Sequence, residues 1–164
     1  MSGLLVHKDV EKLELTFERE LPASPLVVWE SWTTKQGLEA WWGPEGWSTV
    51  VRSLDVRPGG LWHFGMGPAG ESPQVWVRSI YSEVITAAAL SYVEGFSDET
   101  GADLDPESNA VTVEFFGLHA DRTRLVLHTR FTSAERLRRV TDLGIIPGWT
   151  AGFDRLENYL ELGK

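Results

Sequence analysis

The chain of 164 residues contains no cysteine at all. This absence excludes disulfide frameworks, zinc sites built on thiolates, iron–sulfur clusters and thiol nucleophiles, and it is compatible with a reducing cytoplasm. Histidine is also scarce, because its four residues lie scattered at positions 7, 63, 119 and 128. None of them shows a metal-ligand spacing such as His-Glu-x-x-His. The sequence therefore predicts no metal site.

Long apolar runs and an excess of basic residues are missing as well. No segment approaches the roughly 20 consecutive apolar residues of a membrane-spanning helix, and the run from Leu4 to Val6 is too short for a signal peptide. Fifteen basic residues stand against 24 acidic ones, which gives a net charge of −9. Because this charge repels phosphate backbones and anionic lipids, we expect neither nucleic acid nor membrane as a partner. Because the chain shows no signal peptide and has no cysteine, we expect a cytoplasmic location.

Motifs for the common catalytic and cofactor loops are absent too. No serine lies in a nucleophile elbow, and the glycines at 59–60 and 65–67 join strand to strand instead of opening a helix that could hold phosphate. The acidic segment from Asp98 to Glu107 has some of the spacing of a calcium loop, but Ser108 stands where that loop needs glycine. We expect a solvated loop able to cover a cavity mouth. No catalytic residue and no cofactor are predicted.

Aromatic residues, in contrast, are abundant: the chain has eight Trp, seven Phe and three Tyr. The hydrophobic fraction of 42% and the charged fraction of 24% are ordinary for a soluble domain that buries its own core. Neither an internal repeat nor a linker-like stretch divides the chain. We therefore predict a single domain over 1–164 with its core at about 13–162, in which about half of the larger aromatic side chains form the core and the others line a pocket.

Hydrophobic periodicity predicts a strand, two short helices, six more strands and a long final helix. Glycine- and proline-rich turns between successive strands favour an antiparallel meander. The result is an α+β domain in which a curved sheet of about seven strands lies against the last helix. In chain order, the predicted elements are a strand at about 13–17, helices at about 25–33 and 35–42, strands at about 47–56, 61–66, 75–84, 88–94, 111–115 and 125–131, and an amphipathic helix after Pro147 and Gly148.

Several short motifs between residues 13 and 162 carry a family resemblance through their order along the chain. They are Pro25-Leu26-Val27-Val28-Trp29, Trp41-Trp42-Gly43-Pro44, Leu54-Asp55-Val56-Arg57-Pro58-Gly59-Gly60, Phe96-Ser97-Asp98-Glu99, Thr123-Arg124-Leu125-Val126-Leu127, and Gly148-Trp149 with Leu156. The sequence resembles the START-like (SRPBCC, Bet v 1-like) superfamily, and within it the family named after the C-terminal domain of the activator of the Hsp90 ATPase. The resemblance implies a helix-grip fold, whose C-terminal helix closes a largely apolar cavity. It transfers no catalytic residue, because the family carries no invariant catalytic set.

Strand alternation assigns side chains to the cavity or to the outer face of the sheet. It directs Trp62 and Phe64 inward and His63 outward, and it directs His128 of the last strand outward as well. Tyr81 and Glu83 are predicted to share one face, with Arg78 on the other. The candidate ligand-binding residues are Trp62, Phe64, Trp76, Tyr81, Glu83, Phe96, Trp149 and Phe153.

Among these candidates, Trp149 and Phe153 lie one turn apart on the final helix and are the strongest, with Trp62, Phe64 and Trp76 opposing them across the cavity. The face of Trp76 stays open, because its neighbours in the strand compete for the inside.

These features favour a non-enzymatic protein that binds a small apolar or aromatic ligand between the sheet and the final helix. One alternative is a cyclase- or hydrolase-like enzyme that uses Glu83, Tyr81 or Arg78, which an inward Glu83 beside Tyr81 would favour. Another is a protein-interaction module similar to the Hsp90 activator, which would need an exposed docking face. A homodimer and a protein partner stay open.

Overall fold

The computed structural model describes residues 3–119 and 121–163. Within this part the chain forms eight strands and four helices. Their order is β1 (Leu5–Asp9), β2 (Glu14–Leu21), α1 (Pro25–Thr33), α2 (Lys35–Trp41), β3 (Trp47–Leu54), β4 (Leu61–Pro68), β5 (Val75–Ile85), β6 (Ala89–Ser97), β7 (Asn109–His119), β8 (Arg122–Arg130), α3 (Ala134–Asp142) and α4 (Ile145–Leu162).

All strands belong to one antiparallel sheet in the order β1-β2-β8-β7-β6-β5-β4-β3. The two short helices carry the chain from β2 near one edge to β3 at the other. Helix α4 buries Phe153, Leu156 and Leu160 in the same core as Leu15 and Phe17 of β2. This arrangement is a helix-grip fold, which confirms the α+β class predicted from the sequence.

Local sequence explains the two short helices that hold the tryptophans of the core. The Ser24 hydroxyl accepts a hydrogen bond from the Val27 amide at 3.4 Å, and Pro25 opens α1 with a preset φ. The Thr34 hydroxyl caps α2 in the same way through the Gly37 amide at 3.1 Å. After α2 the backbone turns at Gly43, whose φ of 100° favours glycine, and Pro44 follows. Trp41 and Trp42 are thereby held at the end of α2.

Two elements were not predicted, and the final helix begins earlier than predicted. Strand β1 exposes nearly all its side chains, so it shows no apolar alternation. Helix α3 is mostly polar, and it is anchored by the buried Leu137 and capped by Ser133. Helix α4 begins at Ile145, because Pro147 lies in the first turn, where a missing amide hydrogen breaks no helical bond.

Strand β3 is an edge of the sheet, and side chains of α2 occupy part of that edge. The Val51 amide donates to Glu39 Oε2 at 2.9 Å, while Lys35 Nζ donates to the Val51 carbonyl at 3.4 Å. A register shift follows between Val51 and Ser53. The backbone groups of Val51 that face away from β4 are therefore hydrogen-bonded within the chain.

Candidate functional site

Aromatic side chains from α2, β4 and α4 meet on the inner face of the sheet. The ring of Trp42 lies 4.8 Å from that of Trp62, 5.6 Å from that of Phe64 and 5.3 Å from that of Trp149, measured between centroids. The interplanar angles are 75°, 75° and 88°. These are edge-to-face contacts, a geometry that aromatic pairs prefer. Trp42 is therefore fixed from three sides.

A pocket of about 240 Å³ opens beside this cluster, between the end of α2, strands β4–β6 and the N-terminal half of α4. Its walls are mainly aromatic or aliphatic, and they include Trp42, Phe64 and Trp149. Gly148 and Gly152 of α4 leave room for the opening. Concave, mostly apolar sites with few polar groups are typical of small-molecule binding.

Glu94 is the ionisable residue among the described residues that line this pocket. It lies on β6 in alternation with the buried Leu90 and Tyr92. Its cross-strand neighbours are Ser79 on β5 and Asn109 on β7. The carboxyl group therefore faces inward from the middle of the sheet.

Glu94 belongs to a transverse row of polar groups in which Trp62, Ser79, Glu94 and Asn109 pair across four adjacent strands. Trp62 Nε1, Ser79 Oγ and Asn109 Oδ1 are buried without a hydrogen-bond partner among the described residues. Buried polar atoms of this kind are uncommon in native structures, because a buried group without a hydrogen bond costs free energy. Within this row, Glu94 lines the pocket, whereas Trp62, Ser79 and Asn109 do not.

Burial raises the pKa of Glu94 from its ordinary 4.5 to about 7. The Asn109 side chain and the charge of Arg136 oppose this rise, while the charge of Asp105 adds to it. The side chain keeps partial contact with solvent through the pocket. Glu94 consequently changes its charge close to neutral pH.

A buried ion pair lies next to Glu94. Arg136 of α3 donates two hydrogen bonds to Asp105, at 3.0 and 2.7 Å, and the two side chains are 7% and 3% exposed. Burial alone would raise the pKa of Asp105, but Arg136 and backbone amides hold it below its ordinary value. The expectation that the acidic segment is a solvated loop is therefore wrong at Asp105, which fixes the segment to α3.

Among the predicted ligand-binding residues, the structure brings Phe64 and Trp149 to the pocket wall. Trp62, Tyr81 and Phe153 are fully buried in the aromatic core behind it. Burial raises the pKa of Tyr81 well above its ordinary value, so its hydroxyl stays neutral at physiological pH. The predicted cavity is thus largely filled by side chains, and a smaller pocket remains.

Phe96 is half exposed, and its ring lies 6.0 Å from the Arg136 guanidinium. It borders a small cleft beside the pocket, together with Glu94 and Asp105.

Trp76 and Glu83 lie on the outer face of the sheet. Trp76 pairs with Gly65, and its ring lies 5.1 Å from that of His63. A register shift between Tyr81 and Glu83 leaves Ser82 unpaired, so the side chain of Glu83 emerges on the side opposite Tyr81 and is exposed. The prediction that Tyr81 and Glu83 share a face is therefore wrong.

Both strand histidines lie on the outer face as predicted, but His63 is buried there. The segment after β6 covers its ring, and His63 Nε2 lies 3.1 Å from the carbonyl oxygen of Asp98. His128 is partly exposed between Glu14 and Glu114. Neither histidine borders the pocket.

Sequence reasoning missed Glu94, although its signal was present. Leu90, Tyr92 and Glu94 alternate on one face of β6, and the two apolar residues mark that face as inward. The same alternation places the carboxyl group of Glu94 in the cavity.

Replacing Phe153 by alanine is expected to lower the free energy of unfolding by about 3–5 kcal/mol. The change removes a fully buried ring whose centroid lies 5.1 Å from that of Trp149. Urea unfolding measures this loss. Leu143→Ala serves as the control, because that side chain is 78% exposed and its loss should change stability little. Equal stability of the two variants would contradict the packing described here.

The eight-stranded antiparallel sheet, gripped by a long C-terminal helix with a small apolar pocket between them, defines a START-like helix-grip protein. The model of one family, described as Activator of Hsp90 ATPase homolog 1-like protein, matches residues 22–161. The chain belongs to this family. Its fold supports a role in binding a ligand or a protein partner.

Solved structures with the same fold cover nearly the whole chain. Protein Ms6760 from Mycobacterium smegmatis is 27% identical, with a TM-score of 0.86 over 96% of this chain and 97% of that one. A protein from Arthrobacter aurescens is 26% identical, with a TM-score of 0.88 over 96% and 91%. The AHSA1 protein from Silicibacter pomeroyi is 23% identical, with a TM-score of 0.72 over 92% and 99%, and shows the fold alone. No curated protein matches the chain.

Two further findings concern the described residues only. None of their helices is both long and apolar enough to cross a bilayer. Nor do three or more of their His, Asp or Glu side chains come together in a group that could hold a metal ion.

Proposed function

We propose that the protein binds a small, mainly apolar or aromatic ligand in the pocket between α2, β4–β6 and α4, with Glu94 as its polar contact. The observation that carries this proposal is an aromatic-walled pocket of about 240 Å³ with an inward carboxyl group. Pockets that hold drug-sized ligands measure roughly 300–1,000 Å³. The volume therefore favours a compact molecule over a long lipid.

A larger groove of about 790 Å³ supports the proposal less well. It lies where α1 faces the C-terminal end of α4, and its lining mixes apolar residues with Ser24, Glu30, Gln36 and Asp121. It lacks the packed aromatic wall of the smaller pocket, and no buried carboxyl group with a raised pKa lines it.

An enzyme of the cyclase or hydrolase type is the second candidate, and Glu94 is the observation that favours it. A carboxyl group with a pKa of about 7 in a concave site suits general acid–base catalysis near neutral pH. Glu94 replaces the exposed Glu83 in this role. Turnover of a bound ligand by the wild type, lost in Glu94→Gln, would establish it.

A protein-interaction role would use a different surface. Leu26 and Val27 of α1 and Phe116 and Leu118 of β7 are between 39% and 51% exposed. Pro25 lies close to Gly117, so these two elements meet. Single exposed apolar residues are normal on a protein surface. A docking role requires that these four side chains form one continuous apolar patch.

Gly148 offers a direct test of the pocket. It lines the opening from α4, and an added Cβ would meet no heavy atom within 4 Å. Gly148→Leu is expected to fill the pocket and weaken ligand binding by about tenfold or more, whereas the matched Gly148→Ala keeps most of the pocket volume. Both changes improve helix propensity by up to about 1 kcal/mol, so neither should destabilise the fold.

The measurement is a thermal-shift screen of small aromatic and apolar compounds, followed by titration of each hit through tryptophan fluorescence. A hit that binds wild type and Gly148→Ala but not Gly148→Leu supports the proposal. Hits that bind all three forms equally would place the ligand elsewhere.

A further inference from the structure

We infer that this pocket selects ligands carrying a compact organic cation, such as a methylated ammonium group, over neutral or anionic molecules of the same shape. The inference rests on the proposed function, because it names the class of ligand for the same pocket.

The walls of the pocket are aromatic. Trp42 and Trp149 stand at 88° to each other with centroids 5.3 Å apart, and Phe64 stands at 75° to Trp42. Trp42, Phe64 and Trp149 all line the pocket, and Trp149 is the most exposed of the three. The face of an aromatic ring has a negative potential that attracts cations, and tryptophan is the strongest of these partners.

Glu94 adds a carboxyl group to these walls. Its nearest guanidinium, that of Arg136, is bound to Asp105 through two hydrogen bonds, so the pair has no net charge. The other groups that face Glu94 are Ser79 of β5, Asn109 of β7 and Tyr92 of its own strand, and all three are neutral. The pocket thus holds a carboxylate without a dedicated counter-ion. A ligand cation would supply one, and a ligand anion would be repelled by Glu94.

Arg155 is the other cation close to the rim, and backbone carbonyl oxygens hold its guanidinium in place. Its Nη1 donates to the carbonyl oxygens of Trp42, Gly43 and Pro44 at 3.2, 2.8 and 3.1 Å. These contacts satisfy carbonyls at the end of α2 and fix the segment that carries Trp42. Arg155 therefore stabilises the rim, and its charge is not among those that shift the pKa of Glu94.

Three probes of nearly one shape test the inference: choline, its uncharged carbon analogue 3,3-dimethylbutan-1-ol, and the anion 3,3-dimethylbutanoate. Tryptophan fluorescence and calorimetry measure the affinity of the full chain for each. We expect choline to bind about tenfold or more tightly than the alcohol, and the anion to bind weakest. Equal affinities, or tighter binding of the alcohol, would overturn the inference.

Glu94→Gln and Glu83→Gln form a matched pair of variants, because the first changes the pocket and the second an exposed outer-face carboxylate. Glu94→Gln should lose most of the preference for choline over the alcohol, while Glu83→Gln keeps it. Choline should also lower the pKa of Glu94 in a carboxyl-resolved NMR titration of the wild type, and an unchanged pKa would contradict direct contact.

The outcomes separate this inference from the proposal on which it rests. Neutral probes that bind wild type but not Gly148→Leu, without any preference for choline, leave the pocket as the ligand site and overturn cation selection. Choline binding that persists in Gly148→Leu overturns both.

Discussion

Glu94→Gln is expected to raise the free energy of unfolding by about 3 kcal/mol at pH 8 and to change it little at pH 4.5. The reason is that the folded protein buries this carboxyl group and raises its pKa from 4.5 to about 7. Between pH 4.5 and about 7, the carboxyl group has released its proton in the unfolded chain but still holds it in the folded chain. The wild type therefore loses stability as pH rises through this window, and a neutral glutamine removes the loss.

Urea unfolding at pH 4.5, 6 and 8 measures this effect for wild type, Glu94→Gln and Glu83→Gln. Carboxyl groups elsewhere in the chain titrate equally in all three proteins, so the differences between them isolate residue 94. Glu83 is exposed on the outer face, and its replacement should shift all three values by less than about 0.5 kcal/mol. If the curves of wild type and Glu94→Gln run parallel, the carboxyl group titrates as an ordinary exposed glutamate.

Asp105→Ala is expected to lower the free energy of unfolding at pH 7 by about 3–5 kcal/mol, because it leaves the guanidinium of Arg136 buried without its partner. It also removes an acceptor for the amides of Phe96 and Glu107, which lie 3.3 and 3.0 Å from the carboxylate. The matched double variant Asp105→Leu with Arg136→Met removes both charges and should cost less than the single change.

The pH dependence of Asp105→Ala has the opposite sign to that of Glu94→Gln. Asp105 has a lowered pKa in the folded protein, so its contribution is present above its unfolded pKa and is lost as pH falls through its folded value. The difference between wild type and Asp105→Ala should therefore shrink below about pH 4. Glu107→Gln, which affects an exposed pair with Arg139, is the surface control and should cost less than about 1 kcal/mol. A double variant less stable than the single one would contradict the account.

Most of the sheet and the principal helices could be predicted because their apolar residues repeat with the period of the element. Strand β4 alternates Trp62 and Phe64 toward the core, and α4 places Phe153 and Leu156 on one face. Strand β1 and helix α3 lack this signal. The first is held by backbone pairing to β2, and the second by its cap and by the Arg136–Asp105 pair, neither of which leaves an apolar pattern.

The candidate site could be predicted only in part, because alternation fails at a bulge and does not show what covers a surface. The unpaired Ser82 reverses the face of Glu83, and no local motif announces it. His63 has the expected direction, yet the segment around Asp98 buries it through contacts distant in sequence. Glu94 was accessible to the same alternation rule, but the rise in its pKa comes from burial, which exists only in the fold.

The hydrogen bonds of Lys35 and Glu39 to the backbone of Val51 affect how readily the protein aggregates at high concentration. An open sheet invites intermolecular growth at its edges, because an unpaired strand can template another chain in cross-β fashion. At the middle of β3 an incoming strand would have to break the hydrogen bonds of Glu39 and Lys35 to Val51 before it could pair with the backbone there. Together with the adjacent register irregularity, this places a barrier to edge-to-edge aggregation on the margin nearest the tryptophan cluster.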